Sequence, residues 1–137
     1  MVADITGIDY SLLKDNIILE TTELPINRKN EKAKQCDFIL KVNPDYVINL
    51  ELNRQSHTGL IVKNLSYLFN LFSSSTKKGE QYNEDLTVMQ INLNCFNEYV
   101  NKPLSKYHIR EDDTHQLYAK NLVIYSLNIV KCHDIYL

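Results

Sequence analysis

Two acids and an amide, Asp37, Glu51 and Asn53, carry the spacing in this chain that best suits chemistry. They lie in residues 36–55, CDFILKVNPDYVINLELNRQ, where apolar runs at 38–42 and 46–52 flank Asn43-Pro44-Asp45. Proline fixes its own φ and biases its predecessor toward extended structure, while Asn and Asp side chains cap turns. The pattern predicts a β-hairpin. Closure at residues 43–45 sets position 37 opposite position 51, so the two carboxylates are expected to meet at the open end. Strand alternation then places Glu51 and Asn53 on one face. A hard divalent cation needs oxygen ligands, and Mg²⁺ usually takes one or two protein carboxylates, leaving its other positions to water and phosphate. Such an ion activates water and neutralises charge developing on a phosphoryl group. The same spacing also fits two solvated acids at a hairpin edge, and spacing alone does not separate the two readings.

The elements around this hairpin follow from hydrophobic periodicity. Residues 1–15 show a partial helical spacing in Ile5, Ile8, Leu12 and Leu13, weakened by Gly7, and 16–22 reads as a strand. Residues 27–34 are highly charged and read as a solvated loop or, more sharply, as a phosphate-facing patch. Residues 58–75 carry Leu60, Ile61, Leu65, Leu68, Phe69 and Phe72 at helical spacing, entered through Gly59. Lys63 and Tyr67, four apart, share one face of that helix. Residues 86–96 alternate Val88, Gln90, Asn92 and Asn94 with Met89, Ile91, Leu93 and Cys95, which predicts a strand whose polar face is partly covered. Residues 97–113 read as irregular, with His108 and later His115 as loop histidines, and 122–130 as a further strand.

Composition sets the outer bounds. A chain of 137 residues is long enough for one core, so a single domain over 1–137 is expected. The net charge of −2 does not advertise a nucleic-acid partner, although local patches matter more than totals. With no membrane-length apolar run and no signal peptide, the chain is expected to be cytoplasmic, without a membrane partner. Cys36, Cys95 and Cys132 are odd in number and lack metal-site spacing, and are expected to be buried thiols in a reducing compartment. No phosphate-cradling glycine loop, nucleophile elbow or zinc-finger spacing is present.

The order of segments resembles the PD-(D/E)XK nuclease family transposases, relatives of recombination-promoting nucleases. The residues that carry the resemblance are ITGID (5–9), ETTELPI (20–26), KAKQCDFIL (32–40), YVINLELNRQ (46–55), KNLSYLFNLF (63–72), KKGEQYNEDLTVMQINLNCF (77–96) and LVIYSLNIVKCHDIY (122–136). The resemblance implies an α/β fold, a mixed central β-sheet flanked by helices around a restriction-endonuclease-like core. It matches Asp37 and Glu51 to the acids of the nuclease motif, which implies Mg²⁺ (or Mn²⁺) held by Asp37 and Glu51 and DNA as partner. The motif's lysine, two residues after the glutamate, is Asn53 here, a position where this branch often carries an amide. Lysine polarises water or phosphate with a compact charge, whereas an amide only orients them. Lys63 on the following helix is the first candidate to supply that charge, and Arg54 and Gln55 are weaker ones. In the resembled family Tyr67's position lines the site alongside Lys63's; a surface lysine beside a core-edge aromatic is the other reading of that pair.

Three functions follow as expectations. The first is a metal-dependent DNA endonuclease with Asp37, Glu51, Asn53 and Lys63 as its catalytic group and Arg54, Gln55 and Tyr67 toward substrate. The second is an inactive nuclease-fold module that binds DNA or a protein, for example a phage-borne inhibitor of a host enzyme. The third is a structural remnant without activity. The resembled proteins are longer and begin with a further helix before ITGID, so the chain is expected to be shortened at both ends. The apolar surface uncovered would then be met by a second copy or a protein partner.

Overall fold

Asn43 adopts a left-handed conformation, φ 62°, at the turn that closes the hairpin. Asparagine tolerates that region at little cost, which is the local reason the chain reverses here. The computed structural model describes residues 1–20, 23–24, 34–35, 37–43, 45–76 and 79–130. The hairpin strands are β4 (Phe38–Val42) and β5 (Tyr46–Asn53), paired antiparallel with Phe38 opposite Leu50 and Val42 opposite Tyr46. Before them come α1 (Val2–Thr6), α2 (Tyr10–Asn16), β1 (Ile17–Glu20) and the short pair β2 (Glu23–Leu24) and β3 (Lys34–Gln35). After them come α3 (Leu60–Ser74), β6 (Thr87–Asn94), β7 (Leu104–Tyr107) and β8 (Leu122–Asn128).

Six strands form one mixed sheet in the order β1-β4-β5-β6-β8-β7. β5, β6 and β8 run parallel at its centre, and β1, β4 and β7 are antiparallel to their neighbours. The parallel pair β5–β6 is reached by way of α3, as parallel strands require a crossover. Gly7, φ 74°, ends α1, which turns the weak helical spacing of 1–15 into two short helices. Gly59, φ 87°, opens α3, whose bounds match the periodicity in 58–75 closely.

The sheet is covered on both faces. Leu13 of α2 packs with Val42, Ile48, Met89, Ile91, Val123 and Tyr125, flanked by Val2, Ile5 and Leu12. On the other face Leu68 and Leu71 of α3 pack with Ile39, Val47, Leu86, Val88 and Leu122. This apolar cluster lies under the C-terminal half of α3. Under its N-terminal half the same sheet face is polar: Asn49, Glu51, Asn53, Gln90, Asn92, Asn94, Ser126 and Asn128 are all buried. No helix among the described residues is long and apolar enough to cross a membrane.

Three expectations need correction. The polar face of β6 is buried throughout, because β6 lies between β5 and β8 with α3 against that face. Residues 97–113 contain a strand, β7, which caps the β8 edge with Leu104 opposite Leu127. Cys95 is exposed, since it follows the last residue of β6 and leaves the sheet. Cys36, Cys132 and most of the charged stretch 27–34 lie outside the described residues.

Candidate active site

The hairpin register extends one step beyond β4 and sets Asp37 beside Glu51. The two residues are tied reciprocally: the Asp37 backbone N–H donates to Glu51 Oε1 at 3.2 Å, and the Leu52 backbone N–H donates to Asp37 Oδ2 at 2.8 Å. Side chains thus continue the ladder where backbone pairing stops, which fixes both acids at the hairpin mouth. Glu51 and Asn53 point to the α3 face at the carboxyl end of β5, the end of a parallel sheet where ligands generally bind.

A cavity of about 630 Å³ opens there, lined by Asp37, Phe38, Leu52, Asn53, Arg54, Gln55, His57, Leu60 and Lys63. Asp37, Asn53, Arg54, Gln55 and Lys63 therefore converge on one space, with Glu51 buried behind it at 2% exposure. Tyr67 is half-buried against the apolar cluster, and its ring takes the Lys63 ammonium at 5.5 Å from the centroid. That contact places Tyr67 beside the lysine, outside the residues lining the cavity.

Burial pushes the Glu51 carboxyl up from its ordinary value, and the nearby Asp37 charge adds to the rise. The Asp37 N–H, the Lys63 ammonium and the Asn49 amide act the other way. Lys63 is thus electrostatically in touch with the acid pair although it sits on a separate element. Folding makes Glu51 hold its proton more tightly than the unfolded chain does, so ionising it costs stability once pH exceeds the ordinary 4.5. Glu51→Gln, which cannot ionise, is expected to melt above wild type at neutral pH, with the gain disappearing below 4.5. Thermal unfolding across pH measures this, and a gap independent of pH would refute the assignment.

Asn53 stands where a lysine would put a charge. Its Nδ2 donates to Asn94 Oδ1 at 2.9 Å, and Asn94 in turn donates to Glu98. Asn53 Oδ1 is buried and has no hydrogen-bond partner among the described residues. A parallel bridge runs from Asn49 to Gln90 at 3.3 Å and from Gln90 to Asn92 at 2.9 Å. These amides of β6, together with Glu98, were not singled out by motif spacing; the alternation in QINLN is their only trace in the sequence.

The donor set fits a hard cation. Two carboxylates and an unpartnered amide oxygen meet at the carboxyl end of β5, and the negative charge of Asp37 beside Glu51 is what a cation there would offset. Among the described residues no group of three or more His, Cys, Asp or Glu gathers that could hold a metal ion.

Curated protein sequences gave no match to the chain. The family model described as PD-(D/E)XK nuclease family transposase matches residues 11–135, which takes in both acids, the whole of α3 and all the central strands. With that match over nearly the full sequence, and with the mixed α/β sheet in place, this chain belongs to the PD-(D/E)XK nuclease family transposases.

Proposed function

We propose that the chain is a metal-dependent DNA endonuclease that hydrolyses phosphodiester bonds at the mouth of the β4–β5 hairpin. The observation that carries this reading is the reciprocal pairing of buried Glu51 with Asp37, which lines a cavity together with Asn53 and Lys63. Asp37 and Glu51 would hold Mg²⁺ or Mn²⁺, with Asn53 Oδ1 as a further oxygen toward it. Bound there, the ion supplies Lewis-acid chemistry, lowering the pKa of water and offsetting charge on the phosphate. Asn53, fixed by Asn94, orients the attacking water and the phosphate. Lys63 supplies the positive charge that an amide at position 53 lacks, and Arg54 and Gln55 meet the DNA backbone.

Nicking of supercoiled plasmid, with metal binding followed by calorimetry, tests the proposal on wild type and on variants of the two acids. Lys63→Ala is expected to slow nicking by about a hundredfold while metal still binds, the scale of a lost electrostatic contact to a developing charge. Wild-type rates in that variant would remove Lys63 from the mechanism. A second reading, a module that binds DNA or a protein without cutting, is favoured by one feature: Asn53 is neutral and its Nδ2 is committed to Asn94. Metal-independent DNA binding with no nicking by wild type would decide for it.

A further inference from the structure

A second cavity, of about 580 Å³, lies on the other side of the α3 N-terminus. It shares His57 and Leu60 with the first, so the two spaces adjoin. Its volume falls within the range of about 300–1,000 Å³ usual for small-molecule sites. Asn64, Asn92 and Asn94 contribute carboxamides to its lining, and Phe96, Tyr99 and Tyr107 contribute aromatic rings. Asn64 is only 9% exposed, and its Oδ1 has no hydrogen-bond partner among the described residues. Such a group buried without a partner is destabilising unless something else satisfies it. Tyr99, by contrast, is fully exposed, an aromatic ring held in water at a recess walled mostly by apolar side chains, among them Leu60, Val62, Leu65 and Ile124.

Buried carboxamides inside and aromatic rings outside are the chemistry that reads and stacks a nucleobase. Base–aromatic stacking holds single strands, and asparagine side chains match the donor–acceptor edge of adenine. We propose that this cavity receives one unstacked nucleobase, adenine for preference, from the DNA strand whose phosphate lies at Asp37 and Glu51. The inference rests on the endonuclease reading for its strand and names the substrate form: single-stranded or locally opened DNA. Asn94 belongs to both sites, since it lines the second cavity and accepts the hydrogen bond that fixes Asn53. A seated base would therefore bear on the group that orients the attacking water.

The test uses the full chain and a single-stranded deoxyoligonucleotide with 2-aminopurine replacing one adenine, in the presence of chelator so that nothing is cut. Wild type is expected to quench the 2-aminopurine emission as the base stacks against Tyr99. Tyr99→Ala, which alters no buried contact, is expected to lose most of the quenching and to bind about tenfold more weakly. Asn64→Leu keeps the branching at Cγ, removes the unpartnered oxygen, and is expected to weaken binding by a similar factor. No quenching by wild type, or wild-type affinity and quenching in both variants, would overturn the proposal. Failure of the endonuclease reading shows separately, as nicking that is absent or indifferent to Asp37, while the quenching still stands or falls on Tyr99 and Asn64.

Discussion

Asp37→Ala and Glu51→Ala are each expected to lower metal-dependent nicking of supercoiled plasmid by about a thousandfold or more. A bound divalent cation contributes several kcal/mol to stabilising the transition state, and each 1.36 kcal/mol is a factor of ten in rate. Removing either acid halves the carboxylate charge at the site and so weakens its hold on a Mg²⁺ ion that keeps its other positions for water and substrate. The two variants differ in what else they disturb. Asp37 is exposed, so its loss frees the Leu52 N–H to water and leaves the fold intact. Glu51 is buried, and its truncation leaves a space beside Asn49 and an Asp37 N–H without its acceptor. Glu51→Gln, of nearly the same shape, keeps that space filled and should be as inactive as Glu51→Ala. Calorimetry should show metal binding in wild type and none in the variants. Nicking at the wild-type rate in Asp37→Ala, with an unchanged circular dichroism spectrum, would sink the assignment of the site.

The largest effect on stability is expected from Leu68→Ala. Leu68 has no exposed surface and joins α3 to the strands through Val47, Val88 and Leu122. Leucine-to-alanine changes in such positions cost about 2–5 kcal/mol, from lost transfer energy and the cavity left behind. Denaturant unfolding should show that loss, with the slope unchanged if the native state keeps its extent. The same change at Ile61, which is mostly exposed one face away, should cost little. Equal losses at both positions would mean that α3 is not seated as described.

How far the sequence reveals this depends on whether a feature is local. The hairpin is legible because turn-forming residues separate two apolar runs whose alternation sets the register, so Asp37 and Glu51 could be paired from counting alone; Asn43 itself is left-handed, against the extended bias expected before a proline. α3 is legible because Leu60, Leu65, Leu68 and Phe72 recur at helical spacing, although Ile61 and Phe69, read with them, are exposed. β7 was hidden, since Leu104–Tyr107 is short and sits in a stretch of mixed charge whose pairing partner is β8. The full burial of the β6 amides was not legible, because Gln90 and Asn94 find partners in Asn49 and Asn53 of β5, 41 residues away, and in Glu98, while Asn92 takes its bond from Gln90 on its own strand. The second cavity is invisible for the same reason: α3, β6, β8 and the loop after β6 each supply a part. Lys63 was named from the sequence, but its electrical reach to Glu51 depends on how α3 lies over the sheet.

The reciprocal bonding of the two acids also has a bearing on when the site is made during folding. Asp37 and Glu51 are joined across 14 residues, whereas the bridges from Asn49 to Gln90 and from Asn53 to Asn94 each span 41. Closing the shorter loop costs about 1 kcal/mol less in chain entropy, and a hairpin forms in about 1–10 μs. The carboxylate pair therefore belongs to the earliest structure the chain can make, ahead of the parallel strands and of the lysine on α3. A nascent hairpin carrying two adjacent negative charges repels itself until a cation arrives or the helix docks. Divalent ions in the refolding buffer would accordingly act on the rate of the first step, and the amide bridges would lock the register only afterwards.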